Sequence, residues 1–242
     1  MGTTIEALLQ DNEEALHELQ ERIGYRFNNP RLLQLSLIHS SFAFEQLDEG
    51  SHNETLEFLG DAVLDLIVGF ILFTRFPEMR EGKLTRIRSA LVNEHGLAER
   101  AREIDLGRYL LLGKGEDSSN GRDKPSILSS AYEALVGALF LDGGYEKAQI
   151  FVRCFFEPHI DQHQDELVCA DAKSSLQELL QERFNEGPEY ILTGEEGPAH
   201  ARMFSVLVAF QGEELGQGRA SSKKEAEQLA ARAALAYLEQ QG

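Results

Sequence analysis

Along residues 5–160 apolar positions recur at spacings of three and four, with few β-branched alternations, which predicts an almost wholly helical region. Asp11 and Asn12 precede a charged helix that ends near Gly24, and Asn29-Pro30 opens another with Leu32, Leu33, Leu35 and Leu37 facing a core. A polar loop is expected from Glu45 to Ser51. Asn53 to Phe73 reads as a long apolar helix closed by Phe76-Pro77. Glu81 to Val92 and Asn93 to Ile104 read as two more helices, whereas Gly115 to Ser126 has the composition of a mobile loop. Ser126 is suited to cap the helix that follows, and Asp142-Gly143-Gly144 to stop it.

After residue 160 the pattern changes. Apolar content falls between Asp161 and Lys173, so a linker is expected at 161–171, between an all-α domain at 5–160 and a second domain at 172–240. In that second stretch Ser174 to Phe184 is helical by spacing. Tyr190 to Thr193, Phe204 to Phe210 and Glu213 to Arg219 are strand candidates, and Ser222 to Gln240 is an alanine-rich helix. The expected class is a small α+β domain of order α-β-β-β-α.

Composition adds constraints. Hydrophobic residues make up 42% of the 242, as in a packed globular protein. The longest apolar stretch, Ala62 to Phe73, contains Asp65 and is too short for a membrane helix. Met1 to Glu6 does not read as a signal peptide, and Glu6 stands where a myristoylation motif wants Ser or Thr. The two cysteines, Cys154 and Cys169, lack metal-ligand spacing, which points to a reducing cytoplasm. The net charge of −18 argues against nucleic acid unless basic residues cluster locally.

The chemistry concentrates in His52-Asn53-Glu54-Thr55-Leu56-Glu57-Phe58-Leu59-Gly60-Asp61. At roughly 100° per residue, Glu54, Glu57 and Asp61 fall within about 60° of one another, and Asp65 continues the stripe. Two readings are open: a solvated polar face, or carboxylates gathered around a cation that offsets their repulsion. Oxygen donors without His or Cys select Mg²⁺ or Mn²⁺. On a second helix Glu133 is the only charge before Asp142, an isolated acid that wants a base or a shared metal. His39 and His52 could act as bases, although a histidine in a helical core or cap is more often structural.

These residues together resemble the ribonuclease III family. The resemblance runs through His39-Ser40-Ser41, Asn53 to Leu64, Glu81-Gly82 with the arginines after it, and Ile127 to Asp142. It implies a double-strand-specific endoribonuclease that acts as a homodimer with Mg²⁺ or Mn²⁺ and no small-molecule cofactor. The expected products carry 5′-phosphate and 3′-hydroxyl ends with short 3′ overhangs, and precursors of ribosomal RNA are implied substrates. Glu57 matches a metal ligand, Asp61 an active-site acid, and Glu133 an acid that is both ligand and essential. Glu54 and Glu81 match acids that paired subunits bring to the cleavage centre. Many members carry Asp where this chain has Ser130, so the hydroxyl there is expected to reach the metal weakly or through water.

Residues 172–240 resemble a double-stranded RNA-binding domain, on Ser174 to Gln181, Gly197-Pro198-Ala199-His200, Phe204, Gly216 to Arg219 and Ser221 to Ala226. The resemblance implies that Ser174, Gln177 and Gln181 meet 2′-hydroxyls in a minor groove, that His200 enters the next one, and that Ser222, Lys223 and Lys224 face phosphates. Basic residues also gather at Lys83, Arg86 and Arg88, which answers the charge objection locally. Loss of the acids would instead favour a non-catalytic RNA-binding protein, and only Ser130 points that way.

Overall fold

The computed structural model describes residues 3–47, 51–162, 172–198 and 202–241. The chain folds as two compact units, Met1–His159 and Ile160–Gly242.

The first unit is helical. It begins with α1 (Ile5–Asp11), α2 (Glu13–Ile23), α3 (Pro30–Ser36) and α4 (Ser40–Gln46). The longest uninterrupted helix, α5 (Glu54–Arg75), follows, then α6 (Glu81–Leu91), α7 (Glu94–Glu103) and the short α8 (Lys114–Ser118). Local sequence sets the boundaries. The Asn29 side chain accepts from Arg31 N–H and Pro30 takes the first turn of α3. Gly24 closes α2 at φ 67°, and Asn93 caps α7 by accepting from Gly96 N–H. The last helix, α9 (Pro125–Gln162), is two helices joined at Gly144, whose φ of 74° and ψ of −176° suit only glycine.

Helix α5 runs through the core of this unit. Leu56, Gly60, Val63, Leu64, Ile67, Val68, Ile71 and Leu72 are all buried. Its tightest neighbour is α9. A methyl group on Gly60 would overlap the Glu133 carbonyl oxygen, and one on Gly137 would overlap the Leu56 carbonyl oxygen. The two helices therefore meet backbone to backbone, one glycine from each side.

Four expectations need correction. Residues 115–126 form no mobile loop: α8 and a 3-10 turn at Gly121–Asp123 occupy most of it. Arg122 holds the segment. Its Nε donates to Asp117 at 2.7 Å, and Nη1 reaches the carbonyls of Gly107 at 3.0 Å and Leu110 at 2.7 Å. Ser126 does not cap α9, because Pro125 already starts the helix and the Ser126 carbonyl accepts from Ser129 Oγ within it. The stretch expected as a loop from Glu45 is helical through Gln46, and residues 48–50 lie outside the described residues. Leu32 and Leu35 are only half-buried; Gln34 and Ser36 take the buried places beside Leu33 and Leu37.

The second unit has α10 (Ala172–Phe184), β1 (Glu189–Glu196), β2 (Met203–Phe210), β3 (Glu213–Ala220) and α11 (Lys223–Gln241). The strands form one antiparallel sheet in the order β1-β2-β3, with Val206 opposite Leu192 and Gly218. One face of the sheet is covered by helices, where Leu176, Leu180, Val206, Val208 and Leu215 pack with Ala226, Ala230, Ala231 and Ala234. The alanines of α11 let it lie close to β3. Side chains at Gly216 and Gly218 would strike the backbone of Ala230 and Ala226. Of the residues expected to link the two domains, 161 and 162 are helical, and 163–171 lie outside the described residues.

Gly60→Ala tests the crossing. In a free helix this change stabilises by about 0.5–1 kcal/mol. Here the methyl group meets backbone, and forcing the helices apart should cost more, about 1–3 kcal/mol. The expected outcome is a lower melting temperature; an unchanged or higher one would show that α5 and α9 have room.

Candidate active site

Four acids line one side of α5. Glu54 and Asp61 are exposed, Glu57 and Asp65 half-buried, and the opposite side of the helix is core. Helix α9 brings Glu133 to them, because the Glu133 carbonyl is the group that Gly60 admits. The Glu133 carboxyl is pushed up to about 7, first by burial and then by the negative charges of Asp61, Glu57 and Asp65. The isolated acid of the second helix thus sits among the acids of the first.

A cleft of about 310 Å³ opens at the N-terminal end of this cluster, lined by His39, Ser40, Asn53, Glu54, Glu57, Ser126, Ile127 and Ser130. Glu54, Glu57 and Ser130 therefore share one cavity. Buried Asn53 fixes the start of α5: its N–H donates to the Ile38 carbonyl at 2.9 Å and its Nδ2 to the Ser36 carbonyl at 3.4 Å. Asp65 has a cationic neighbour, Arg88, whose Nε lies 3.5 Å from its Oδ1. Arg88, expected on a basic face with Lys83 and Arg86, is thus engaged by an acid of α5.

Glu81 is not brought to this cluster within the chain. It heads α6, accepts from Thr85 Oγ1 at 3.0 Å, and lines a separate cleft with Gly69, Leu72, Phe73, Met79 and Arg88.

The donor set fits a hard divalent ion. It is made of carboxylates and one hydroxyl, and the charges raise Glu133 as crowded acids do when no cation offsets them. Among the described residues no three His, Cys, Asp or Glu side chains close around one point.

In the second unit, Leu176 and Leu180 of α10 are buried while Gln177 and Gln181 are exposed and Ser174 is half-buried, so the polar trio shares the outer face. Gln181 Nε2 donates to Asn185 Oδ1 at 2.9 Å. Lys223 and Lys224 stand exposed in the first turn of α11, and Ser222 caps it by accepting from Glu225 N–H at 3.2 Å. Arg219 is paired with Glu196 at 2.7 Å. His200 lies outside the described residues.

The sequence reading missed one surface. Phe58, Leu66, Phe70 and Phe73 of α5 are exposed, Phe58 to 81%, and Phe44 of α4 is exposed to 93%. The signal was present: α5 is apolar on nearly every side except its acid stripe, more than one core face needs.

Comparison with known proteins places these features. Residues 29–159 match a family model described as Ribonuclease-III-like, and residues 172–238 one described as Double-stranded RNA binding motif. The chain is 56% identical to a protein named Ribonuclease 3 from Desulfotalea psychrophila, over 99% of each chain. It is 50% identical to another of that name from Oleidesulfovibrio alaskensis, over 92% of this chain and 97% of that one. Among solved structures, the nuclease domain of a ribonuclease III from Campylobacter jejuni is 41% identical with a TM-score of 0.55, covering 59% of this chain and 94% of that one. A second structure of that domain, 40% identical with a TM-score of 0.54 over 59% of this chain and 99% of that one, is described for flexibility in a region involved in dimer formation.

The raised Glu133 carboxyl carries a pH dependence. Between the ordinary carboxyl value of 4.5 and about 7, the folded metal-free chain holds a proton that the unfolded chain has released. This contribution to stability is present below that window and lost as pH rises through it. Urea midpoints measured in chelator from pH 5 to 8 should therefore fall more steeply for the wild type than for Glu133→Gln. Equal slopes would contradict the crowding.

Proposed function

The chain belongs to the ribonuclease III family, double-strand-specific endoribonucleases, and on that premise we propose how its residues do the work. The single observation that carries the reading is the close crossing at Gly60, which sets Glu133 of α9 beside the acid stripe of α5. Glu57 and Glu133 would hold a divalent ion, Mg²⁺ or Mn²⁺ in its place, with the Ser130 hydroxyl beside Glu57 in the cleft. When bound, such an ion polarises a phosphoryl oxygen and lowers the pKa of water. The chain's own residues then have separable tasks. Binding of the cation holds Glu133 in its charged form. Asp61, one turn from Glu57 and exposed, orients water at the scissile phosphate. Glu54 bounds the cleft on the strand side. The products are a 5′-phosphate and a 3′-hydroxyl.

The working unit in this reading is a homodimer. Phe58, Leu66, Phe70 and Phe73 form an exposed apolar face of α5, and covering it removes a large apolar area from water. Glu81, remote from Glu57 in its own chain, then serves the cleavage centre of the pair. Two sites cutting opposite strands leave short 3′ overhangs. Residues 5–160 form the catalytic and dimerising part, 161–171 the linker, and 172–240 the duplex-binding part. Ser174, Gln177 and Gln181 meet 2′-hydroxyls across a minor groove, His200 the next groove, and Ser222, Lys223 and Lys224 the phosphates between. The substrates are structured transcripts, ribosomal RNA precursors among them, in the cytoplasm.

The test is cleavage of a long RNA duplex with and without Mg²⁺. Glu133→Gln should lower the rate by at least about a hundredfold at saturating Mg²⁺ while leaving duplex affinity within about threefold, because the amide removes a ligand charge and little else. Near-wild-type cutting by this variant would contradict the reading.

A further inference from the structure

His39 lines the cleft of Glu54, Glu57 and Ser130. Its ring is held on one side only. Nδ1 accepts from the backbone N–H of Ser41 at 3.3 Å and lies 2.8 Å from Ser41 Oγ. That hydroxyl also accepts from Gly113 N–H at 2.9 Å. A backbone N–H can only donate, so Nδ1 is an acceptor and carries no proton. The neutral imidazole must hold its hydrogen on Nε2. The His39 backbone is fixed as well, its N–H donating to the Leu111 carbonyl at 3.1 Å.

The locked tautomer decides what the ring can do. An Nε2 that carries a proton is neither a metal ligand nor a base. It is a donor, and among the described residues it makes no hydrogen bond. Glu116, an acid in electrostatic reach of His39, is paired with Lys124. A lysine at this place would be drawn onto Glu54 or Glu57. A neutral N–H can instead offer a hydrogen bond to a phosphate in a cleft otherwise rich in acid.

We propose that His39 is a substrate-binding residue of the cleavage cleft, whose Nε2–H donates to a non-bridging phosphate oxygen of the RNA strand lying over Glu54, Glu57 and Ser130. The proposal rests on the endonuclease reading above. Asn in place of His keeps an acceptor for Ser41 N–H but is too short to reach the Nε2 position. Gln places an amide N–H near that position.

The experiment measures cleavage of a short RNA duplex with one cut site, intact or with single methylphosphonates around the cut, which replace one charged oxygen by a methyl group. His39→Asn should lose about ten- to a hundredfold in kcat/KM on intact duplex, the range for a hydrogen bond to a charged group, with the half-maximal Mg²⁺ concentration unchanged. His39→Gln should recover most of that loss. At one methylphosphonate position the wild type should be slowed while His39→Asn is slowed no further. If His39→Asn fails to fold, His39→Ala, which also removes the Nε2 donor, carries the test with the same loss expected and the same Mg²⁺ requirement. Wild-type kcat/KM in a folded His39→Asn, or the same methylphosphonate profile in both proteins, overturns the proposal. So does a loss accompanied by a raised Mg²⁺ requirement, which would make His39 act on the metal. A wild type that cuts no duplex with Mg²⁺ or Mn²⁺ overturns the endonuclease reading itself.

Discussion

The chemistry of the first unit depends on how closely α5 and α9 approach. Gly60 and Gly137 each face a backbone carbonyl of the other helix, and any larger residue at either position would separate them. The approach sets Glu133 beside Glu57, Asp61 and Asp65, an arrangement that raises its carboxyl to about 7. The helix packing supplies energy through the buried leucines and alanines around the crossing, and part of that energy offsets the repulsion of the acids. A cation removes the repulsion.

Much of this was legible in the chain. The i, i+3, i+7 spacing of Glu54, Glu57 and Asp61 put them on one stripe because a single helix carries them, and helical periodicity is local. The glycine endings, the Asn29 and Asn93 caps and the three strands of the second unit are local too. What periodicity could not reveal was what crosses what. Glu133 stood as an isolated acid until α9 was packed on α5, and the glycines that permit the crossing look like ordinary helix weak points in sequence. Residues 115–126 read as a loop because Gly, Ser, Asn and Asp dominate them. Arg122 overrides that composition by filling its donors with carbonyls from another segment. The Ser41 hydroxyl beside His39 is held by Gly113, a partner far along the chain.

The second unit shows the same use of small residues for another end. Gly216 and Gly218 on β3 meet the alanine face of α11, so helix and sheet lie close and Val206, Val208 and Leu215 fill the core between them. The close seat fixes the start of α11, where Lys223 and Lys224 stand exposed. This resolves the conflict between a net charge of −18 and a nucleic-acid ligand. A duplex responds to the charges within about a Debye length of its phosphates, not to the total. Much of the basic charge elsewhere is already engaged, as Arg88 is by Asp65 and Arg219 by Glu196.

The central claim is that the acids of α5 and Glu133 of α9 form one electrostatic unit completed by a divalent cation. The most direct measurement is the melting temperature of the full chain against Mg²⁺ concentration at pH 8, without RNA, for the wild type and for Glu133→Gln. A ligand that binds only the folded state adds about 1.4 kcal/mol per decade above its Kd, about 3–6 °C for a unit of this size. The wild type should climb with each decade of Mg²⁺, and Glu133→Gln should stay nearly flat. Parallel curves for the two proteins would mean that Mg²⁺ merely screens an acidic surface, and that Glu133 and the α5 acids do not share an ion.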